Sequence, residues 1–272
     1  MQRFNPTPRE IAASAWRNRS LIWALTVREI LGRYKGSALG LFWSFVTPVL
    51  MLVVYTFVFS VVFKARWNGA DHSKSEFALV LFAGLMVFNL FGECVTRAPG
   101  LIIANANYVK KVVFPLEVLP LVAVASALFH LLVSLLVWLV AYVALIGIPP
   151  VTALLLPIVL LPLLLLAVGT SWLLASLGVF FRDINQIIGI LITALMFLSP
   201  IFFPASALPQ DYQVLLQLNP LTPIIESVRA VLIFGQFPDW SALGLNAVLA
   251  LLVGCLGFAW FQKTRKGFAD VL

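Results

Sequence analysis

Long apolar runs separated by short polar breaks constrain the fold of this chain more than any other feature of its sequence. A helix needs about 20 apolar residues to cross the roughly 30 Å hydrocarbon core of a bilayer. Runs of that order recur along the chain, so we predict about six membrane-spanning helices. They fall near residues 39–63, 77–101, 118–146, 154–178, 186–203 and 241–262.

The composition excludes an ordinary soluble domain. Hydrophobic residues make up 62% of the 272 residues and charged residues 11%, whereas a soluble domain carries about 25% charged residues. The runs lack the alternation of a β-barrel, which predicts an all-α integral membrane protein. We expect an N-terminal amphipathic interfacial helix in residues 1–38, a six-span transmembrane domain over 39–262 and a short tail over 263–272.

The basic residues predict the orientation in the membrane. If the N-terminus is cytoplasmic, only four of the 18 Lys and Arg residues lie outside, namely Lys64, Arg66, Lys74 and Arg229. This asymmetry fits the positive-inside rule and places both termini in the cytoplasm. The formal net charge of +7 therefore reflects topology and an anionic membrane surface, and no nucleic-acid partner is expected.

Residues 7–36 precede the first span and have the periodicity of an amphipathic helix. The apolar face comprises Trp23, Val27, Ile30, Leu31 and Tyr34. The charged face comprises Arg28, Glu29, Arg33 and Lys35. Such a helix is predicted to lie along the membrane surface, where it is either a simple anchor or a contact for a substrate or a partner.

Residues 204–240 contain a second helix outside the spans, between spans five and six. It is predicted to be capped by Thr222, to start at Pro223 and to stop at Gly235. With about a dozen residues it is too short to cross the membrane, so we expect a re-entrant or outer-leaflet helix. It is either a tethering loop or a lid over the outer mouth of a pathway.

Few ionisable residues fall within the spans, and such residues are costly there. His130 lies near the middle of span three, and we expect no intramembrane acid to accompany it, which favours helix–helix hydrogen bonding or pathway contact over a proton relay. Glu93 and Arg97 are four residues apart near the cytoplasmic end of span two, and we predict a structural ion pair.

Aromatic residues cluster on two spans. Tyr55, Phe59 and Phe63 share a face of span one, whereas Phe197 and Phe202 lie at the outer end of span five. Such residues usually form lipid-facing belts or core packing. An aromatic ring can also stack on the C–H face of a sugar, so these residues and His130 are candidates to line a channel.

Motifs for catalysis are absent from the sequence. The stretch GRYKGS at 32–37 has the letters of a P-loop in the wrong order, and no nucleophile elbow, H-E-x-x-H or dinucleotide fingerprint occurs. His72, His130 and the two intramembrane cysteines do not form a recognisable metal-binding pattern. We therefore expect a non-enzymatic transport subunit that binds no cofactor or metal and draws energy from a partner or an ion gradient.

Five blocks, in this order, resemble the permease subunits of ABC exporters for polysaccharides and polyol phosphates, including the O-antigen type. They are VREILGRYKGSALGLFWSFVTPVLMLVVYTFVF (27–59), NANYVKKVVFPLEVLP (105–120), FFRDINQII (180–188), SPIFFP (199–204) and LNPLTPIIESVRAVL (218–232). The resemblance implies a bacterial inner-membrane half-transporter. Two copies would form the channel, and two copies of a separate ATPase holding ATP and Mg²⁺ would bind beneath it. The substrate would be a glycan linked to an undecaprenyl-diphosphate-type lipid.

The resemblance also implies roles for individual residues. A coupling helix over residues 105–114 would contact the ATPase through Asn107, Tyr108, Lys110, Lys111 and Phe114. The substrate headgroup or the ATPase would meet Arg28, Arg33, Tyr34, Lys35, Arg182 and Asp183. The outer gate would include Pro204, Pro220, Glu226 and Arg229.

Three alternatives to polysaccharide export remain. One is an ABC permease for a small drug or lipid, which shares the six-span plan. Another is an ion-coupled carrier, which is disfavoured because His130 is the only titrating group at mid-membrane and coupling usually requires a buried acid. The third is a purely structural subunit.

Overall fold

The computed structural model describes residues 7–58, 74–111, 114–204, 209, 213, 216 and 218–272. Within these residues every regular element is helical, which confirms the all-α fold. The α-helices are α1 (Pro8–Arg17), α2 (Arg19–Arg33), α3 (Trp43–Tyr55), α4 (Lys74–Arg97), α5 (Leu101–Ala104), α6 (Ala106–Lys111), α7 (Val118–Leu145), α8 (Leu156–Phe180), α9 (Ile184–Phe197), α10 (Thr222–Leu232), α11 (Trp240–Thr264) and α12 (Phe268–Val271).

Five helical stretches in the described residues are long and apolar enough to cross a membrane. They are Gly40–Val58, Glu76–Ala104, Val118–Leu145, Val151–Phe180 and Trp240–Val271. These stretches coincide with five of the six predicted spans, because an uninterrupted apolar run of this length satisfies its backbone hydrogen bonds only as a helix in the membrane.

The predicted fifth span differs from the prediction. Helix α9 has 14 residues and ends at Phe197, whereas the apolar run continues to residue 203. Pro200 disfavours helical geometry at Ser199, and the Asn219 amide donates to the Ser199 hydroxyl over 2.8 Å and to the Leu198 carbonyl over 3.3 Å. The chain therefore turns at this point.

Helix α4 forms the centre of the bundle. It packs against α7, α8, α9 and α10, and its residues from Phe77 to Leu85 are almost fully buried. Helices α3 and α9 lie at the periphery and expose much of their apolar surface, including Val53, Phe57 and Ile190. Apolar surface of this kind is stable against lipid or another apolar protein surface.

Two ends of the bundle can be distinguished by contacts. At one end, Phe180 of α8 packs against Phe268 of α12, and we name this the α12 end. At the other, the Thr152 hydroxyl donates to the Val231 carbonyl of α10 over 2.8 Å, and we name this the α10 end. The names make no assumption about which end is cytoplasmic.

Helices α8 and α11 approach each other through glycines. A methyl group on Gly257 would lie 2.2 Å from the Gly169 carbonyl oxygen, and one on Gly169 would lie 2.6 Å from the Gly254 nitrogen. Small residues allow such contact between helix backbones in a membrane. The sequence also contains a small-residue stripe on α8, Ala167, Ser171 and Ala175, and all three residues are fully buried.

Replacing Gly257 by alanine should destabilise the protein, because the added methyl group would force the α8 and α11 backbones apart. Overpacking of this kind costs about 1–3 kcal/mol. Thermal unfolding in detergent should show a lower midpoint for Gly257→Ala. The matched control is Gly244→Ala in the same helix, where a methyl group would meet no atom within 4 Å. Equal midpoints for the two variants would contradict the close packing.

Candidate functional site

Five ionisable side chains from three helices meet inside the bundle. Glu29 and Arg33 come from α2, Glu93 and Arg97 from α4, and His130 from α7. We name this group the charged cluster. Their side chains are 17–45% exposed, and charges partly shielded from water in a membrane domain are tolerated where they pair with one another. The mutual pairing therefore fixes the three helices relative to each other.

Glu93 is the shared acceptor of the charged cluster. Its Oε1 accepts from Arg33 Nη1 over 2.7 Å and from Arg97 Nη1 over 3.2 Å, and its Oε2 lies 3.1 Å from His130 Nδ1. A second carboxylate, that of Glu29, pairs with Arg97. The predicted Glu93–Arg97 ion pair is confirmed, but it belongs to a larger network.

The expectation that no acid accompanies His130 was wrong. Glu93 lies 37 positions away in the sequence on another helix, and the packing of α4 against α7 brings the two side chains together. His130 Nδ1 also lies 2.8 Å from Arg33 Nη1. One nitrogen cannot donate to the Glu93 carboxylate and accept from Arg33 at once, so the tautomer of His130 decides which contact is a hydrogen bond.

The charged face of α2 is divided between the bundle and the exterior, where Arg28 and Lys35 are exposed. Glu29 and Arg33 point towards α4, while Leu25 and Ile30 are buried and Leu25 packs on the start of α7. Trp23, from the predicted apolar face, is exposed. Complementary charges on α4 attract the acid and the base of α2, and a helix considered alone does not reveal such partners.

A cavity of about 620 Å³ opens beside the charged cluster. Its polar end is lined by cluster residues together with Tyr34, whose hydroxyl lies 3.4 Å from His130 Nε2. Its deeper wall is largely apolar and includes Met51, Phe82 and Met86. Burial raises the pKa of Tyr34, so its hydroxyl keeps its proton. The cavity combines the guanidinium groups of Arg33 and Arg97 and the carboxylate of Glu93 with apolar side chains, so it can hold an amphiphile whose polar headgroup meets the charged groups.

The aromatic residues predicted to line a channel lie in different parts of the structure. Tyr55 lines the cavity beside the charged cluster. Phe197 is 61% exposed, and its ring lies 5.9 Å from that of Phe202. Phe59 and Phe63 lie outside the described residues. The aromatic candidates therefore do not form one surface within the described part of a single chain.

Arg229 is fully buried at the α10 end. Its guanidinium donates to the main-chain carbonyls of Val80, Pro200 and Ile201 over 3.1, 2.5 and 2.8 Å, and it pairs with Glu226 over 3.1 Å. Burial lowers its pKa to about 10, so it stays charged at neutral pH. Arg229 thus ties α10 to α4 and to the turn after α9.

Two details of the region around α10 differ from the sequence prediction. Leu221, not Thr222, precedes the first helical residue, and no side chain caps the helix. The Asn219 side chain instead accepts from the Leu221 amide over 2.9 Å. Of the remaining gate candidates, the Pro220 carbonyl accepts from Asn246 over 2.7 Å. Pro204 is half-buried just after the turn.

The predicted coupling segment, residues 105–114, contains the short helix α6 at the α12 end. Asn107 and Lys110 are exposed, and Lys110 donates to the main-chain carbonyl of Leu272. Tyr108 stacks on Phe114 with ring centroids 4.4 Å apart. The side chain of Lys111 lies outside the described residues. The exposed side chains of Asn107 and Lys110 leave one side of α6 accessible to another protein.

The other predicted headgroup contacts are exposed and separate from the charged cluster. Arg28 and Lys35 lie on and just after α2, and Arg182 and Asp183 lie in the turn between α8 and α9. Prediction from sequence missed Glu29 as a site residue. Its spacing of four residues from Arg33 was the available signal.

Neutralising Glu93 should destabilise the protein, since Arg33, Arg97 and His130 would lose their shared acceptor. Removing one partner from a buried ion pair costs about 3–5 kcal/mol, and partial exposure reduces that figure here. We expect a lower thermal midpoint in detergent for Glu93→Gln than for the control Arg28→Gln, which changes an exposed charge on α2. The Arg33→Gln and Glu93→Gln effects should be less than additive in the double variant. Strict additivity would contradict the direct pairing.

The family relationship of the chain agrees with this membrane architecture. Residues 20–233 match the model of the ABC-2 type transporter family. The chain is 27% identical to the O-antigen export system permease protein RfbA of Klebsiella pneumoniae and 29% identical to RfbA of Myxococcus xanthus. Each match covers 93% of this chain and 95% of the relative. It is also 26% identical to the polysialic acid transport protein KpsM of Escherichia coli, over 89% of this chain and 92% of the relative. The family match covers well over half of the sequence, and the chain therefore belongs to the ABC-2 type transporter family.

Proposed function

We propose that this chain is the channel-forming subunit of an ABC transporter that exports a lipid-linked, O-antigen-like polysaccharide across the bacterial inner membrane. A separate nucleotide-binding subunit hydrolyses ATP, and the permease chain itself binds no nucleotide. The observation that supports this proposal most directly is the amphipathic cavity beside the charged cluster. The relatives of the chain include O-antigen export permeases that match it over almost its full length.

The cavity fits the two chemical parts of a lipid-linked glycan. The guanidinium groups of Arg33 and Arg97 line its polar end, and guanidinium groups bind phosphate oxygens in a bidentate manner. The apolar wall suits the first isoprene units of an undecaprenyl carrier. Arg28 and Lys35 on the outside of α2, with Arg182 beyond α8, then attract the diphosphate before it enters.

The assembly contains two copies of this chain and two copies of the ATPase. The ATPase binds at the α12 end, which is cytoplasmic, and the exposed side of α6 supplies the contact. The second copy covers the peripheral helices α3 and α9, whose exposed surface includes Val53, Phe57 and Ile190. The glycan passes between the two copies, where Phe197 is exposed, and α10 closes the outer end.

One observation favours a second function, that of an ion-coupled carrier. The Glu93–His130 contact places an acid beside the histidine. Ion coupling usually requires such an acid within the membrane, next to the group that takes up the proton. In that case transport would follow a proton gradient and would need no nucleotide.

The two functions differ in their energy source. We expect a nucleotide-binding protein to co-purify with this chain from its native host in mild detergent. In vesicles holding both proteins, translocation of a fluorescent undecaprenyl diphosphate-linked oligosaccharide should require ATP. A chain purified without the ATPase serves as the control. Translocation by that control, driven by a pH gradient alone, would replace the exporter proposal with the ion-coupled one.

Reversing the charges of Lys110 and Lys111 should uncouple ATP hydrolysis from export, since both lie on the helix proposed to contact the ATPase. In reconstituted vesicles, Lys110→Glu with Lys111→Glu should reduce oligosaccharide export at least tenfold while the protein still inserts. The neutral pair Lys110→Gln with Lys111→Gln removes both positive charges without adding negative ones, which separates an effect on the ATPase contact from an effect on membrane topology. Arg9→Glu is a control that reverses another exposed charge at the same end of the bundle. Unchanged export in the double-glutamate variant would show that the lysines only orient the neighbouring spans.

A further inference from the structure

A second buried carboxylate, that of Glu117, joins four parts of the chain at the α12 end. It lies just before α7, and its Oε1 accepts from the Ser14 hydroxyl of α1 over 3.0 Å. Its Oε2 pairs with Arg265 Nη1 over 2.5 Å. Its main-chain carbonyl accepts from the Trp172 indole of α8 over 3.0 Å. Every one of these contacts is buried or mostly buried.

Arg265 connects the same carboxylate to the coupling segment. While Nη1 pairs with Glu117, Nη2 donates to the Phe114 carbonyl over 2.6 Å. Phe114 stacks on Tyr108 of α6, so the guanidinium holds the end of the coupling segment. An arginine presents its donors in a rigid planar fork that fits these two acceptors, whereas the donors of a lysine ammonium are clustered on one nitrogen and rotate.

Packing alone would already hold these helices together. Leu116, Leu119, Trp172, Phe258 and Phe268 form one buried apolar cluster at this end. A buried ion pair adds little net stability compared with such packing, and in some proteins such pairs serve instead to specify one arrangement of their partners. The Glu117–Arg265 pair therefore points to a requirement for fixed geometry between α6, α1 and the segment after α11.

We propose that Glu117 and Arg265 are positioning residues that make the coupling segment move together with α1. Displacement of α6 passes through Phe114 and Arg265 to Glu117, and from there through Ser14 to α1. Helix α1 is followed by α2 after Asn18 alone, and α2 carries Arg33 into the charged cluster. ATPase motion at one surface thus reaches the substrate cavity. This inference rests on the proposed function, since it requires an ATPase that pushes on α6.

Arg265→Lys tests the bridge while keeping the positive charge. The variant should be assembled with its ATPase in vesicles, using the fluorescent undecaprenyl diphosphate-linked oligosaccharide as the probe. We expect ATP hydrolysis within about twofold of the unmodified complex and at least a tenfold fall in oligosaccharide exported per ATP. The exposed neighbour provides the control, and Lys266→Gln should keep the normal ratio. Thermal midpoints measured in parallel separate a loss of coupling from a loss of folding.

Ser14→Ala is the second variant. It removes the hydrogen bond to Glu117 and the one that the Ser14 hydroxyl accepts from Asn18 over 3.2 Å, while the ion pair stays in place. It should lower export per ATP about threefold with little change in the thermal midpoint. The inference is overturned if Arg265→Lys and Ser14→Ala both keep the normal ratio. It is also overturned if the ratio falls only in step with the thermal midpoint. Failure of the proposed function would look different, because the unmodified complex would then show no ATP-dependent export.

Discussion

The α12 half of this bundle depends on the ion pairs and hydrogen bonds made by the Glu93 carboxylate. It accepts from two arginines and meets a histidine, and these partners come from three helices. An unpaired charge at this depth is costly, so the helices are held where the charges compensate each other. Helix α2 is thereby tied to the bundle, and the cavity beside it gains a wall with both charged and apolar side chains.

The same physical rule operates at three places in the chain with different groups. Glu93, which is partly buried, and Glu117, which is buried, bind arginines from distant parts of the sequence. Arg229 is a buried base whose partners are mostly main-chain carbonyls, one in α4 and two in the turn after α9. These contacts fix both ends of the central helices. By contrast α3 and α9 are peripheral and largely exposed, which leaves them as the surfaces where a second chain can pack.

Prediction from sequence succeeded where a local pattern carries the information. The apolar runs gave the positions of five spans because helix formation in lipid depends only on length and hydrophobicity. The end of α9 was missed, since Asn219 and Pro200 interrupt an apolar run that looks continuous. Thr222 was assigned as a cap, although Leu221 occupies that position in the structure. The channel-lining and gate roles of Phe197, Pro204 and Glu226 stay predictions.

The sequence by itself determined the all-α membrane architecture and the family, because these follow from apolar runs and from similarity spread along the chain. The sequence also identified Arg33, Tyr34 and His130 as candidate site residues, but it did not show that their side chains lie together. Only the tertiary structure brought them to Glu93 and placed Glu117 between α1, α8 and Arg265. The physical reason is that ion pairs between helices depend on the packing of segments far apart in sequence, and helical periodicity describes one segment at a time.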